Sequence, residues 1–362
     1  MTLSPVFRSP AAVQLLREEG IWEGLGPSIS GQADAVTVIR TDLRDLVDER
    51  FLTEDHPPPA PGDTESDHAL EFLQEYFFLI LFRSLFESLG VSDERLRYYS
   101  ELNFCIKGTI TAADNLFDDQ AKSLLPLRDE TGPRFLSILQ LMAFERLMRR
   151  AGDRAVSRGV ITAEQRDRVA RGLINLMAEI GELEGSEEGG VGEIPPPDEM
   201  VRTVHRVRGG ALFALSFVAP RILEEGATAD VLSRAEPSIA RLGTAFQIVD
   251  DLTDFEFDLT RRSHNLLVSE IRHHGSDEER TALARLWDGG SAPESGMVEG
   301  VFRRSARMVL ERAYDEARRS FRELGDLGFW IPPSLADEIV RAIVGMDGIA
   351  RMEALSAGAG EG

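Results

Sequence analysis

The sequence predicts an all-α protein, one large helical bundle around a central apolar cavity. Three observations point there. Apolar residues recur at the three-to-four spacing of a helix in segment after segment. Alternating Val, Ile and Thr runs bounded by hairpin turns, the mark of half-buried strands, are missing. The length of 362 residues at 43% hydrophobic content is enough to bury a large core.

Residues 1–55 carry short amphipathic segments, such as Ala11–Glu18 and Ala35–Phe51, and lead into a stiff Pro-rich stretch, His56-Pro57-Pro58-Pro59-Ala60-Pro61-Gly62-Asp63. A helix follows at about 67–89 and stops at Gly90. Its apolar residues wrap the whole circumference, which predicts a central position. Further helices are expected at about 93–120, 132–152 and 163–184. Gly185-Ser186-Glu187-Glu188-Gly189-Gly190-Val191-Gly192, with Pro195-Pro196-Pro197 behind it, reads as a mobile loop. Helices at about 198–226 and 229–258 come next, and two or three more reach about 355. The expected division is an N-terminal extension with its linker at 1–65, a helical domain at 66–355 and a disordered tail at 356–362. Beyond two paired acidic motifs, the sequence holds no internal repeat.

The formal net charge of −22 argues against nucleic acid, whose phosphates demand Lys and Arg, and against an anionic membrane surface. Lys107 and Lys122 are the only lysines, so nearly all positive charge is arginine. The single cysteine, Cys105, excludes an intrachain disulfide and fits a reducing compartment. The start of the sequence lacks the basic-then-apolar layout of a signal peptide. Its longest apolar run, Tyr76 to Phe82, is too short to span a bilayer. A soluble, cytoplasmic protein without stable membrane insertion is expected.

The chemistry is concentrated in Gly243-Thr244-Ala245-Phe246-Gln247-Ile248-Val249-Asp250-Asp251-Leu252-Thr253-Asp254-Phe255-Glu256-Phe257-Asp258. On a helix, Asp250, Asp254 and Asp258 recur every four residues, at roughly 6 Å intervals along one face. Like charges so placed repel one another and add nothing to a fold. A hard divalent cation with oxygen ligands relieves them. Upstream, Asp114-Asn115-Leu116-Phe117-Asp118-Asp119 repeats the four-residue spacing at the end of another apolar helix. Magnesium keeps waters and favours phosphate oxygens over all-protein cages, so two such clusters suit a diphosphate guest.

Phe246-Gln247-Ile248-Val249-Asp250-Asp251-Leu252-Thr253-Asp254 resembles the second aspartate-rich motif of trans-polyprenyl diphosphate synthases. Asp114-Asn115-Leu116-Phe117-Asp118 resembles their first, with Asn for the second Asp. Arg208-Gly209-Gly210-Ala211-Leu212-Phe213 resembles their diphosphate-contacting Lys-Thr-x-x-Leu-Phe segment. The blocks match in order and separation across roughly residues 67–350. The resemblance implies the class I isoprenoid synthase fold and a reaction of an allylic prenyl diphosphate dependent on Mg²⁺, three ions in all, with Mn²⁺ as a substitute. It makes Asp114, Asp118, Asp119, Asp250, Asp251, Asp254 and Asp258 the metal residues.

Two departures matter. Chain-elongating members carry a Gly-Lys-Arg-x-Arg-Pro block that holds isopentenyl diphosphate; here the corresponding stretch is Glu71-Phe72-Leu73-Gln74-Glu75-Tyr76-Phe77-Phe78-Leu79-Ile80, with no basic residue before Arg83. The Gly-Asp-rich, Lys-containing loop after the second motif is replaced by Asp258-Leu259-Thr260-Arg261-Arg262-Ser263-His264-Asn265-Leu266-Leu267. That stretch resembles the class I terpene cyclases, whose second metal motif places ligands at i, i+4 and i+8. Arg206 with Gly210 fits the cyclases' diphosphate-sensing arginine and helix-break glycine, and Arg208 competes for the same role. His264 is read as a solvated loop residue.

These readings rank a terpene synthase acting on one C15–C25 prenyl diphosphate first. Chain elongation comes second, and a non-catalytic partner subunit of a prenyl synthase third. Head-to-head condensation fits only the first motif. In the expected mechanism Arg206 or Arg208, with Arg261 and Arg262 on a closing loop, add charge-assisted hydrogen bonds to diphosphate. Gln247 orients diphosphate or a bound water. Phe77, Phe104, Phe117, Phe213 and Phe246 are candidates for an aromatic wall around the allylic cation. Ile110 and Phe104 are placed to set chain length, and Lys107 to snorkel or pair on the same face. The expected partner is a small-molecule prenyl diphosphate. Oligomeric state is not specified by the sequence, and a homodimer is one candidate.

Overall fold

The computed structural model describes residues 7, 10–54, 57–60, 62–63, 66–118, 122–128, 132–289, 294, 296–342 and 351–355, with the side chains of residues 11, 117, 118 and 342 outside that set. The described residues are helices and connections. They contain no strand, only an isolated antiparallel bridge between Leu52 and Leu127. No helix among them is long and apolar enough to cross a membrane. The chain divides into two compact units.

The first unit takes in residues 1–172 and 215–232. Its helices are α1 (Pro10–Glu18), α2 (Ile21–Arg44), α3 (Asp67–Ser88), α4 (Asp93–Asp118), α5 (Pro133–Ser157) and the first part of α6 (Ala163–Ser186). The Ser66 hydroxyl caps α3 by accepting from Ala69 N at 3.1 Å. Past its far end Gly90 adopts φ 87°, a left-handed conformation that glycine reaches without strain. Between them Phe72, Leu73, Tyr76, Phe77 and Leu79 through Phe82 are all buried, so α3 is central as its all-round apolar pattern predicts. Residues 10–44, expected as an extension, are part of this core. Ile21, Leu25, Ile29, Val36, Ile39 and Leu43 of α2 are buried, and the helix packs on α3, α4 and α5. Gly108 lets α4 close on α5, since a Cβ there would meet the Phe144 ring at 1.9 Å. Cys105 is buried in the same helix.

The second unit takes in residues 173–214 and 233–362. The expected helix over 198–226 is broken into α7 (Pro197–Met200), a π-helical stretch (Val201–Gly210), α8 (Ala211–Ala214) and, in the first unit, α9 (Val218–Leu223). The long helix expected at 229–258 is α10 (Gly226–Thr253) and α11 (Phe255–Arg261), separated at Asp254. Then come α12 (Leu266–His274), α13 (Asp277–Trp287), α14 (Arg303–Asp326) and α15 (Leu335–Ala342). α12 is the hub, packing on α7, α11, α13 and α14. Ser276 and Glu279 form a capping box at the start of α13. Arg351 reaches back to the end of α10, donating to Thr253 O at 3.2 Å and to Leu252 O, and pairing with Glu256 at 2.8 Å and Glu299 at 2.7 Å.

Candidate active site

The aspartate ladder straddles the α10–α11 junction. Asp254, with φ −98° and ψ 13°, sits outside both helices, yet Asp254 N donates to Asp250 O and Asp258 N to Asp254 O, each at 2.8 Å. The four-residue register therefore carries through the break. Four residues advance an α-helix by 400°, so each rung turns about 40° from the last. Asp258 consequently falls about 80° round from Asp250 and close to the azimuth of Asp251. The exposures follow that drift: Asp250 is half-buried, Asp254 exposed, Asp258 half-buried and Asp251 fully buried. Burial, then the charges of Asp251, Asp250 and Asp254, push the Asp258 carboxyl well above the usual range, against the hydrogen bond it accepts from Asn265.

Asp251 is the buried member of the adjacent pair. Its Oδ2 accepts from His205 Nε2 at 2.7 Å and from Leu266 N, and its Oδ1 accepts from Gln247 Nε2 at 3.4 Å. At 2% exposure it is a buried anchor for the start of α12. Gln247 also donates to Asp250 Oδ2 at 3.3 Å. Asn265, fully buried, caps α12 through Leu267 N at 2.9 Å and Val268 N at 3.3 Å. Its amide donates to Asp251 O at 2.7 Å and Asp258 Oδ2 at 2.9 Å. His205 and Asn265 were not singled out from the sequence. A usable signal existed for Asp251: with Ile248, Leu252, Phe255 and Leu259 all buried, it lies inside the apolar stripe.

The π-helical stretch positions the arginines, and the structure separates them. Arg208 is mostly buried, pairing with Glu187 at 2.9 Å and with Glu184. Burial alone lowers its basicity, but Glu184, Glu187 and Asp251 more than restore it. Arg206 is exposed and lines a groove of about 660 Å³ with Asp198, Arg202, Glu270, Arg307 and Glu311, among others, where no rung of the ladder appears. Gly210 and its neighbour serve close packing. A Cβ on Gly209 would meet Gly243 O at 2.3 Å, and one on Gly210 would meet Ala240 O at 2.9 Å. The stretch thus lies backbone-to-backbone on α10, which aims His205 at Asp251.

Glu187 also overturns the reading of His264. It accepts from His264 N at 3.1 Å and pairs with His264 Nδ1 at 2.6 Å, so His264 is held, not solvated. Burial works against the Glu187 carboxylate, but His264 and Arg208 outweigh it and hold its pKa below the ordinary value. Val191 N donates to Arg262 O at 2.9 Å. The Gly-rich segment is therefore fastened to the turn after α11 by both backbone and side chain. In that turn Arg261 and Arg262 are exposed; Arg261 lies 5.0 Å over the Phe257 ring and Arg262 donates to Trp287 O at 3.2 Å. Phe213 and Phe246 are half-buried, their rings 5.9 Å apart.

In the first unit, Asp114 is exposed near the end of α4. Asp119 and the side chains of Phe117 and Asp118 lie outside the described residues. Asn115, the departure from the motif, is 2% exposed. It donates to Lys122 O at 2.7 Å and accepts from Lys122 N at 3.2 Å. An aspartate could not make both bonds. Phe104 is core, packed between Tyr76 and Phe144; Ile110 is half-buried. Lys107 is paired: it donates to Glu75 O at 2.6 Å beside the break in α3 at Tyr76 and lies 4.9 Å over the Tyr76 ring. Burial lowers its pKa to about 8.

Among the described residues no group of three or more His, Cys, Asp or Glu side chains closes around a point where an ion could sit. The donor set still suits a hard cation: oxygen ligands on a face whose charges repel, one of them with its pKa raised by burial and by its acidic neighbours. Such an ion takes its remaining ligands from phosphate oxygens and water.

No protein-family model matches the chain, and none of the curated proteins matches it in sequence. Solved structures match in fold. A decaprenyl diphosphate synthase from Rhodobacter capsulatus is 19% identical at TM-score 0.59, over 89% of this chain and 98% of that one. A polyprenyl synthase from Caulobacter crescentus, complexed with calcium and isoprenyl diphosphate, is 14% identical at TM-score 0.56, over 89% and 97%. A geranylgeranyl pyrophosphate synthetase from Pyrococcus horikoshii is 17% identical at TM-score 0.54, over 92% and 99%. At these identities the likeness establishes the fold: the chain has the all-α class I isoprenoid synthase fold, in the form of the trans-polyprenyl diphosphate synthases.

Proposed function

We propose that this protein is a Mg²⁺-dependent isoprenoid synthase acting on an allylic prenyl diphosphate, and that it transfers the prenyl group to lengthen a chain. The observation that carries the diphosphate reading is the ladder of carboxylates at four-residue spacing, with Asp258 pushed up by burial and then by its acidic neighbours, and held in place by Asn265. The preference for transfer rests on the structural neighbours, which are polyprenyl and geranylgeranyl diphosphate synthases. They reverse the order in which the sequence alone ranks cyclisation and elongation.

Asp250, Asp254 and Asp258 would hold Mg²⁺ on the second motif, and Asp114 and Asp118 on the first. Bound Mg²⁺ supplies Lewis acidity that neutralises charge on the departing diphosphate. Arg208 donates charge-assisted hydrogen bonds to diphosphate oxygens, exchanging Glu184 and Glu187 for the substrate. Gln247, already bonded to Asp250, orients that carboxylate. The faces of Phe213 and Phe246 favour the allylic cation and keep water from it.

A second reading, cyclisation of a single prenyl diphosphate, is favoured by a specific observation. The stretch where elongating enzymes hold isopentenyl diphosphate has no Lys or Arg between Glu71 and Phe82, and most of it is buried core. Incubation with Mg²⁺ and farnesyl or geranylgeranyl diphosphate, with and without isopentenyl diphosphate, decides between the two. Transfer yields longer diphosphates only when isopentenyl diphosphate is present. Hydrocarbon or alcohol products from the allylic substrate alone would replace it with cyclisation. No product, together with no calorimetric binding of Mg²⁺ and diphosphate, would leave a non-catalytic partner subunit.

A further inference from the structure

The ladder is supported by a side chain that the metal-motif reading does not include. His205 lies in the π-helical stretch, 46 positions before Asp251, and both are almost completely buried, at 1% and 2% exposure. Each ring nitrogen faces an acceptor: Nδ1 lies 3.3 Å from Met200 O, and Nε2 2.7 Å from Asp251 Oδ2. A carboxylate only accepts, so Nε2–H is the donor. The same Oδ2 accepts from Leu266 N, the first residue of α12. The residue before it, Asn265, donates to Asp258 Oδ2 and to Asp251 O.

We propose that His205 is a positioning residue for metal binding: it fixes the Asp251 carboxylate, Asp251 fixes the first turn of α12, and Asn265 at that turn fixes the Asp258 carboxylate. The inference rests on the reading of the ladder as a metal face. Ligating carboxylates are commonly oriented by hydrogen bonds from residues that never touch the ion. Here the route is long because Asp251 itself is walled in. Its orientation reaches the ladder through the backbone of residues 265–266 and the Asn265 amide. The π-helical register matters for the same reason, since it carries His205 into contact with α10 where Gly209 and Gly243 let the backbones meet.

Three variants test it, read by calorimetric titration of Mg²⁺ with inorganic diphosphate and by thermal melting. His205→Gln can place an amide where Nε2 lies. His205→Asn reproduces Nδ1 and falls short of Asp251. Asn265→Ala cuts the last link without touching His205. The expected result is Mg²⁺–diphosphate affinity at least about tenfold weaker in H205N and N265A, the size of a lost charge-assisted bond, and within about threefold of the parent protein in H205Q. A purely structural role predicts lower melting temperatures for all three variants with metal affinity unchanged, and that pattern would overturn the proposal. So would an N265A protein of parental affinity, even if H205N does not fold. A parent protein that binds no Mg²⁺–diphosphate would instead overturn the functional reading, and the inference with it.

Discussion

Replacing Asp258 by Asn separates what the ladder does for function from what it does to stability. The side chain keeps its shape, and its Oδ1 can still accept from the Asn265 amide, which now donates at 2.9 Å. What disappears is a negative charge beside Asp251, Asp250 and Asp254. Two unit charges about 6 Å apart repel by about 0.7 kcal/mol in water and about 3 kcal/mol at an effective dielectric of 20. The exposed Asp254 sits near the first limit and the buried Asp251 nearer the second. The metal-free D258N protein should therefore be more stable by about 1–3 kcal/mol, which raises the thermal midpoint by roughly 1–4 °C. The sign also appears in pH. Because the folded state raises the Asp258 pKa, its unfolded form releases the proton first. Stability of the metal-free parent then falls as pH rises from about 3.9 through the folded value, and D258N lacks that contribution.

Function runs the other way. A ligand at a hundred times its dissociation constant stabilises a protein by about 2.7 kcal/mol. The parent protein should show such a gain with Mg²⁺ and diphosphate, and D258N should lose most of it. Thermal melts in EDTA and in Mg²⁺ plus diphosphate measure both effects. The reasoning is refuted if D258N melts at or below the parent in EDTA, or if it keeps the parent's full ligand-induced shift.

Three other perturbations follow from the same geometry. Glu187→Gln removes the carboxylate shared by Arg208 and His264 and should cost about 1–3 kcal/mol. Since folding lowers the Glu187 pKa, its contribution is present above about pH 4.3 and is lost as pH falls through the folded value. Acid melts of E187Q should show that loss already made at neutral pH, and an unchanged acid profile would contradict the assignment. Gly209→Ala forces a Cβ to 2.3 Å from Gly243 O, backbone that can yield only by separating the π-helical stretch from α10. About 1–3 kcal/mol of stability should go in urea unfolding, along with Mg²⁺–diphosphate affinity. Arg351→Met keeps the stem but loses Glu256, Glu299 and the last carbonyls of α10. Amide exchange at residues 252–256 should quicken, and no change there would remove Arg351 as the clamp on the ladder helix.

The features legible in the sequence share one property: their cause is local. The wrap of apolar residues around 67–89 places α3 in the core because each residue reports its own environment. The Asp250, Asp254 and Asp258 spacing survives the junction because backbone register is local too. What sequence reasoning missed depends on pairing at a distance. Residues 10–44 read as an extension because their apolar faces are short, and only α3, α4 and α5 give those faces something to bury against. His205 carries no mark in its own neighbourhood; its meaning is Asp251, and Glu187 likewise has its meaning in Arg208 and His264.

The aspartate motif lies between these cases. Its two adjacent residues are chemically identical, and 100° of helix rotation assigns them opposite roles. Asp250 stays half-buried while Asp251 turns into the stripe of Ile248, Leu252, Phe255 and Leu259. A four-residue repeat alone describes a straight ladder. Adding 40° per step shows why the third rung comes to rest beside the buried aspartate. That position needs Asn265 to hold it, and through Asp251 it depends on His205, so the ladder is set by α12 and the π-helical stretch as much as by its own helix.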